Sequence, residues 1–411
     1  MLFIQAIDDS HGILPIGPAL MQEPSIAIIG AGIGGLCTAL AMQRAGLRVR
    51  VYEQAPKLAE VGAGLSLSPT AAHALNHLGL GEFLRERATM PEEQFARHYR
   101  DGRLLMLSNR GRSLLERFGE RYYLIHRADL HGALAAAVHA NDADAIQLAK
   151  AVRGLRRLEP HVEIEMADGS IETAAACIAA DGQRSSVRTQ IFSPEQPRFT
   201  GYVAWRALIP MEHLSALDLQ PSSGIFIGPG HMVNVYPVQR GRLLNLVAFA
   251  ERNTWTEEGW SIPAQRDELL EEFSGWTDTV RFIMMAIADG ALFRWGLFDR
   301  TPLERWTEGH LALLGDAAHP VLPFLGHGAV LAIEDAVVLA RCFATGESIP
   351  AALHRYEIAR RERARFVFEE SRKAVRIFHA SDPDRYSRSV GNVTVDEGLG
   401  LFAYNPVNCA I

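Results

Sequence analysis

The sequence predicts an α/β chain in which a parallel-sheet unit is interleaved with a sheet-rich unit and followed by helices. Three observations lead there. A fully apolar strand runs into a glycine-rich turn and a helix near the start; residues 202–297 turn strand-rich and aromatic; and a charged helical pattern begins at residue 349. At 411 residues the chain exceeds what one hydrophobic core usually fills. Its 48% hydrophobic content excludes a disordered chain, and a net charge of −7 argues against a general nucleic-acid binder. Cys37, Cys177, Cys342 and Cys409 lie far apart with no CxxC pair, so no disulfide framework or zinc site is proposed, and a reducing, cytoplasmic setting is expected. Residues 1–24 carry no Lys or Arg and read as a leader rather than a secretory signal. The apolar run 26–42 contains glycines and a turn, which suits a buried strand-turn-helix and leaves no membrane span.

In chain order, residues 25–29 read as a buried strand, 35–45 as a helix, and 48–53 as an alternating strand ending on an acid. Residues 69–78 and 128–140 are Ala/Leu-rich helices. The turns Asp101-Gly102 and Asp168-Gly169 predict hairpins joining 95–100 to 103–107 and 161–167 to 170–173. A strand at 176–180 runs into Asp181-Gly182, and another at 311–315 precedes a Pro-containing loop and a long apolar helix over 327–342. His73 and His77 are spaced i, i+4 and His131 lies on the next helix, but no acid or third ligand accompanies them; all three read as ordinary helix residues, and no metal is expected.

The chemistry begins at Gly30-Ala31-Gly32-Ile33-Gly34-Gly35. Gly30 allows a tight turn, Gly32 lets backbone approach a pyrophosphate, and Gly35 lets the helix pack against the strand. The helix start then offers unpaired N–H groups to phosphates. Glu53 follows about 20 residues on, where the dinucleotide fingerprint places an acid for ribose hydroxyls. A glycine turn and a solvated strand end are the plainer alternatives for the two features.

Two later segments narrow the cofactor. Residues 177–188 end a strand in Asp181-Gly182, and Gly315-Asp316 ends another before Pro323-Phe324-Leu325-Gly326-His327-Gly328-Ala329. With Gly62-Ala63-Gly64-Leu65, Ile125-His126-Arg127 and Ile333-Glu334-Asp335-Ala336, these resemble, in order, the motifs of the single-component FAD-dependent aromatic hydroxylases, such as salicylate hydroxylase, 3-hydroxybenzoate 6-hydroxylase and 6-hydroxynicotinate 3-monooxygenase. The resemblance covers roughly residues 25–363. It implies a para-hydroxybenzoate-hydroxylase-like fold: a discontinuous, Rossmann-like FAD-binding domain (25–97, 120–200, 298–345), a sheet-rich substrate domain (98–119, 201–297) and a helical segment (346–411). It also implies FAD contacts from Gly30, Gly32, Gly34, Gly35, Glu53, Ala63, Gly64, Arg127, Val152, Asp181, Asp316, Gly328 and Ala329. Asp316 would meet a ribityl hydroxyl, capping being its bland alternative, and the helix start at Gly328-Ala329 would stabilise negative charge on the reduced flavin.

The activity implied is hydroxylation of a small hydroxylated aromatic or heteroaromatic compound, using NADH or NADPH and O₂ through a flavin C4a-hydroperoxide, by a monomer or homodimer. Alternatives are an oxidase, a monooxygenase of larger polycyclic, quinolone- or indole-like compounds, and a FAD-binding protein without turnover. By resemblance His231 is the expected base, with Tyr236 orienting the ring; a strand-turn His and a core Tyr are the plainer readings. His327, where the family often has Gln, either faces the flavin or is a satisfied loop residue. Arg206 either pairs with a substrate carboxylate or pins the sheet. Phe226, Val235, Pro323 and Phe324 are expected walls for a flat ligand.

Overall fold

The computed structural model describes residues 25–58, 63–257, 259, 261–390 and 394–411. The leader and Gly62 lie outside the described residues. The stretch Ile26–Ile29, apolar at every position, is buried on both faces in the centre of a six-stranded sheet. Continuous apolarity is the signature of a strand covered on both sides. Its neighbours Ala176–Ala179 and Val49–Tyr52 pair with it in parallel, and Leu311–Leu313 continues the sheet beyond Ala176–Ala179. The strands that end in the Asp-Gly and Gly-Asp turns therefore stop at the same edge as the glycine-rich turn. Helices Ile33–Arg44 and Gly328–Phe343 pack together over this sheet. Gly34 makes that approach close: a Cβ there would sit 3.0 Å from Leu314 Cδ2 and 3.1 Å from Ala332 Cβ.

The second unit is an eight-stranded sheet. In spatial order it runs Ile262–Pro263, Phe293–Asp299, Arg198–Pro210, Leu243–Glu251, His231–Val238, Gly224–Gly228, Glu93–His98 and Leu104–Asn109. Glu93–His98 pairs in parallel with Gly224–Gly228, so residues 93–97 share a sheet with the substrate unit and a cut after residue 97 falls inside a strand. The stretch 202–297 is not all strand. Arg266–Glu272 and Asp278–Met285 are helices whose Leu269, Val280, Ile283 and Met284 cover one face of the sheet. Apolar residues at three- and four-residue spacing are a helical signal that the surrounding aromatic strands mask in sequence.

The two units meet at Gly64–Leu67, which pairs antiparallel with Tyr123–His126. The Gly64 N–H donates to Asn245 Oδ1 of the large sheet at 2.7 Å, and a Cβ on Gly64 would lie 2.4 Å from the Tyr236 ring. Glycine is required here because two separately folded sheets touch backbone to side chain. The tail is a 30-residue helix, Ile349–Phe378, followed by short helices. No helix among the described residues is long and apolar enough to cross a membrane.

Candidate active site

At the parallel-sheet edge, Gly30 adopts φ +97°, and a Cβ there would meet the Ala180 carbonyl oxygen at 2.7 Å. A Cβ on Gly35 would meet the Gly30 carbonyl oxygen at 1.9 Å, so the turn and the helix touch through backbone alone. Gly32 faces open space and starts a helix with no side-chain cap and no acid in its first turn. An uncapped helix start beside open space fits an anion. Both Glu53 oxygens are engaged, accepting from the N–H of Ala31 and of Ala55 at 2.8 Å each, so the acid first shapes the turn and has its remaining lone pairs for a ribose. Val152 stands two residues beyond Lys150, whose N–H donates to the Glu53 carbonyl at 2.8 Å. His131 is not an ordinary helix residue: its Nε2 bonds the Ala31 carbonyl at 2.7 Å from a buried position, steadying the glycine turn.

Asp316 projects into a cavity although Gly315 and Ala317 beside it are buried. Desolvation raises its carboxyl above the usual range, with His319 and Arg127 pulling the other way. A carboxylate left open amid buried neighbours is what a ribityl hydroxyl would satisfy. Asp181 is likewise raised by burial, while its Oδ2 accepts the Ser186 N–H at 3.0 Å and so caps the following turn. Ala63, Gly64, Arg127, Gly328 and Ala329 line the same cavity as Asp316. The residues present thus fit FAD on this side.

The Asp316 turn rests on a buried ionic network. Asp335 Oδ2 accepts from the Gly315 N–H at 3.0 Å and pairs with His319 Nε2 at 2.7 Å, while Oδ1 accepts from Arg360 Nε at 2.6 Å. Arg360 and Arg363 also hold Glu334, at 2.7 and 3.0 Å. Burial opposes the Asp335 charge, but His319 and Arg360 hold its carboxyl far below the usual range. The Glu334-Asp335 pair, prominent in sequence, is therefore a support for the cofactor turn rather than a contact.

The cavity, about 290 Å³, lies between this edge and the large sheet. Strand His231–Val238 sends Met232, Asn234 and Tyr236 toward it. Side chains alternate along a strand, so His231, Val233 and Val235 point the other way. Val235 and Phe226 accordingly belong to the opposite core, where Phe226 meets Phe95 edge-on at 5.2 Å. The expected base is displaced with them. His231 Nε2 pairs with Glu272 at 2.8 Å, its Nδ1 donates to the Pro229 carbonyl at 2.7 Å, and its ring meets Phe273 at 5.2 Å. Burial acts against its charge, but these two acceptors raise its pKa above 6.5. His231 is an ion-pair residue behind the sheet and does not line the cavity.

His327 is also turned away. It is buried, donates from Nδ1 to the Leu325 carbonyl at 2.6 Å, stacks on Phe402 at 6.3 Å, and burial keeps it neutral by lowering its pKa. Pro323 and Phe324 do line the cavity, with Phe324 packed on Phe249 at 5.0 Å. Arg206 lines it too; its Nη2 donates to Ser261 Oγ at 2.7 Å and its guanidinium lies over Trp295 at 5.3 Å. Burial pushes the Tyr236 hydroxyl well above its usual pKa, so it stays a neutral donor. Residues not singled out from sequence also join the wall, among them Asn234, whose buried Oδ1 has no partner among the described residues, and Arg110 and Asp396, which are paired with each other. The alternation around Tyr236 signals Asn234, but no local pattern joins residue 110 to residue 396. No group of residues among those described could hold a metal.

Comparison with known proteins accords with this geometry. Residues 23–371 match the FAD binding domain family, and the chain belongs to it. It is 38% identical to a 3-amino-4-hydroxybenzoate 2-monooxygenase of Streptomyces platensis, over 93% of this chain and 96% of that one. It is 37% identical to a 3-hydroxybenzoate 6-hydroxylase of Aquipseudomonas alcaligenes, over 87% and 90%. The structure of Klebsiella pneumoniae HpxO complexed with FAD and uric acid superposes with a TM-score of 0.83 at 29% identity, covering 94% of this chain and 98% of that one. The chain is a flavoprotein monooxygenase of the aromatic-hydroxylase class, with FAD as cofactor and NAD(P)H as co-substrate.

Proposed function

We propose that this enzyme hydroxylates a small, single-ring hydroxylated aromatic or heteroaromatic compound, with the ring held between the Asp316–Ala329 edge and the large sheet. The carrying observation is the register of His231–Val238, which turns Tyr236 and Asn234 toward the cavity that Asp316 and Gly328 also line. FAD, when bound, would supply the redox chemistry that couples NAD(P)H oxidation to O₂ activation. The chain's own residues bind, orient and shield. Glu53, Arg127 and Asp316 hold the cofactor's polar groups, and the uncapped helix start at Gly328 favours negative charge beside it. Tyr236, a neutral donor, and the Asn234 side chain orient the substrate's ring substituents. The substrate's own hydroxyl, oriented by this pair, then presents the ring for hydroxylation. Phe249, Phe324 and Met232 exclude water, which protects reactive oxygen from decay. A cytoplasmic setting, supported by cysteines that are all free, and a monomer or homodimer belong to the same reading.

The test is a panel of hydroxybenzoates, aminohydroxybenzoates and hydroxypyridines scored for NAD(P)H consumption and ring-hydroxylated product. A matching ring should speed consumption and yield one product per NAD(P)H. Stoichiometric hydrogen peroxide with no hydroxylated product from any member would instead identify an oxidase.

A further inference from the structure

We propose that Gln239 is a positioning residue: its side chain clasps Asp129, fixes the strand that carries Tyr236 against the cofactor edge, and so ties NAD(P)H consumption to hydroxylation. This deepens the reading above and rests on it. The turn that holds Gln239 is strained. Val238 pairs with Leu243 at the end of the hairpin, and the Gly241 N–H closes the turn on the Val238 carbonyl at 3.1 Å. The two central residues, Gln239 and Arg240, have φ of +51° and +58°. Such a turn is usually built from Asn, Asp or Gly, which enter the left-handed region readily; Gln and Arg do not. Strain of this kind persists only where surrounding contacts hold it. Gln239 makes such a contact across the two units. Its Nε2 donates to the Asp129 carboxylate at 3.1 and 3.4 Å, and Arg242 Nη2 donates to its Oε1 at 3.4 Å, which sets the way the amide faces.

Asp129 lies in the first turn of helix Arg127–Asn141. Arg127 and His131, four residues apart, share one face of that helix. Arg127 lines the cavity, and His131 Nε2 bonds the Ala31 carbonyl of the glycine turn at 2.7 Å. Asp129 falls on the other face, about 200° round from each, and meets the hairpin there. One helix is thus gripped by the glycine turn on one side and by the large sheet on the other. The hairpin has a second tie: Asn245, the cross-strand partner of Tyr236, accepts the Gly64 N–H at 2.7 Å. A single tie is a pivot, whereas two ties fix an angle. Tyr236 stands opposite the first tie and on the strand that leads into the second, so the pair sets its distance from the Asp316–Ala329 edge. A misplacement of about 1 Å slows a positioned reaction steeply. Oxygen that misses the ring is then released as hydrogen peroxide.

The experiment compares wild type, Gln239→Gly and Gln239→Lys, all FAD-loaded, on whichever hydroxybenzoate, aminohydroxybenzoate or hydroxypyridine the wild type hydroxylates best. Product and hydrogen peroxide are counted per NAD(P)H. Glycine suits the turn, so Gln239→Gly should keep FAD and unfold within about 3 °C of the wild type. Its peroxide-to-product ratio should nevertheless rise about threefold or more. Lys reaches the same carboxylate, so Gln239→Lys should return the ratio to the wild-type value. In the resting enzyme without NAD(P)H, amide exchange over residues 243–247 should quicken about tenfold in Gln239→Gly and recover in Gln239→Lys. Asp129→Ala should match Gln239→Gly in both readouts, and combining the two should add nothing. An unchanged ratio or unchanged exchange in Gln239→Gly overturns the proposal, as does failure of Gln239→Lys to restore them. Loss of FAD with a large drop in Tm and a normal ratio per bound flavin would make the contact merely structural, which also overturns it. A wild type that hydroxylates no ring of the panel defeats the function proposed above and this inference with it; a hydroxylating wild type with indifferent variants defeats this inference alone.

Discussion

The parallel sheet and the eight-stranded sheet build the two halves of one cavity by different rules. In the parallel sheet, the motif turns sit where strands end, so they are written in short contiguous stretches: Gly30 to Gly35, Asp181-Gly182, Gly315-Asp316. In the large sheet, one face of strand His231–Val238 meets the cavity, and neighbouring residues have opposite fates. Met232, Asn234 and Tyr236 meet the cavity, while His231, Val233 and Val235 are built into the opposite side. The first arrangement tolerates an error of one residue in reading. The second does not, because a shift of one residue exchanges the faces.

The largest effect should come from the parallel-sheet side. Asp316→Ala removes the carboxylate that the Gly-Asp turn presents to the cavity; FAD should be lost on purification, read from the flavin absorption band. Full retention of the yellow colour would break the assignment of that edge to FAD. Next comes the face test. Tyr236→Phe should lower turnover by about 10- to 100-fold at near-normal FAD content, the scale of a positioned hydrogen-bond donor. His231→Gln should change turnover less than about threefold. If the two results are exchanged, the strand register is wrong.

The junction between the two sheets gives a smaller, structural effect. Gly64→Ala places a methyl against the Tyr236 ring and Asn245, so thermal unfolding should show a loss of about 1–3 kcal/mol, typical of overpacking. Smallest is the pH signature of the His231–Glu272 pair. His231 is raised above 6.5, so its contribution is complete below pH 6.5 and fades as pH rises through the higher folded value. Glu272 is lowered below 4.5, chiefly by its bond to His231, so its contribution is complete above pH 4.5 and fades as pH falls through the lower folded value. His231→Gln should therefore cost most between about pH 4.5 and 6.5, by roughly 1 kcal/mol or less for a partly exposed pair. The deficit should shrink toward pH 9. A deficit that grows toward alkaline pH would show that the pair is not ionic.

Much of the fold was legible in sequence. The strand Ile26–Ile29, the helix Ile33–Arg44, both Asp-Gly hairpins and the helix Gly328–Phe343 each follow from apolar periodicity or a turn dipeptide. Helices Arg266–Glu272 and Asp278–Met285 were hidden because they are short and their apolar residues sit among aromatic strands. At the site, the nucleotide half was readable because backbone geometry demands glycine and acid at fixed offsets. The substrate half was not, since His231 and Tyr236 look equally suited to chemistry until the pleat assigns their faces.

The sequence alone thus determined the family, the cofactor edge and the class of reaction, because those depend on local motifs whose spacing the backbone enforces. Only the tertiary structure decided which side chains meet the cavity. It brings residue 110 to residue 396, joins Gly64 to Asn245, and turns His231 away from the cavity toward Glu272. These are consequences of strand register and long-range packing, which no neighbouring residues encode.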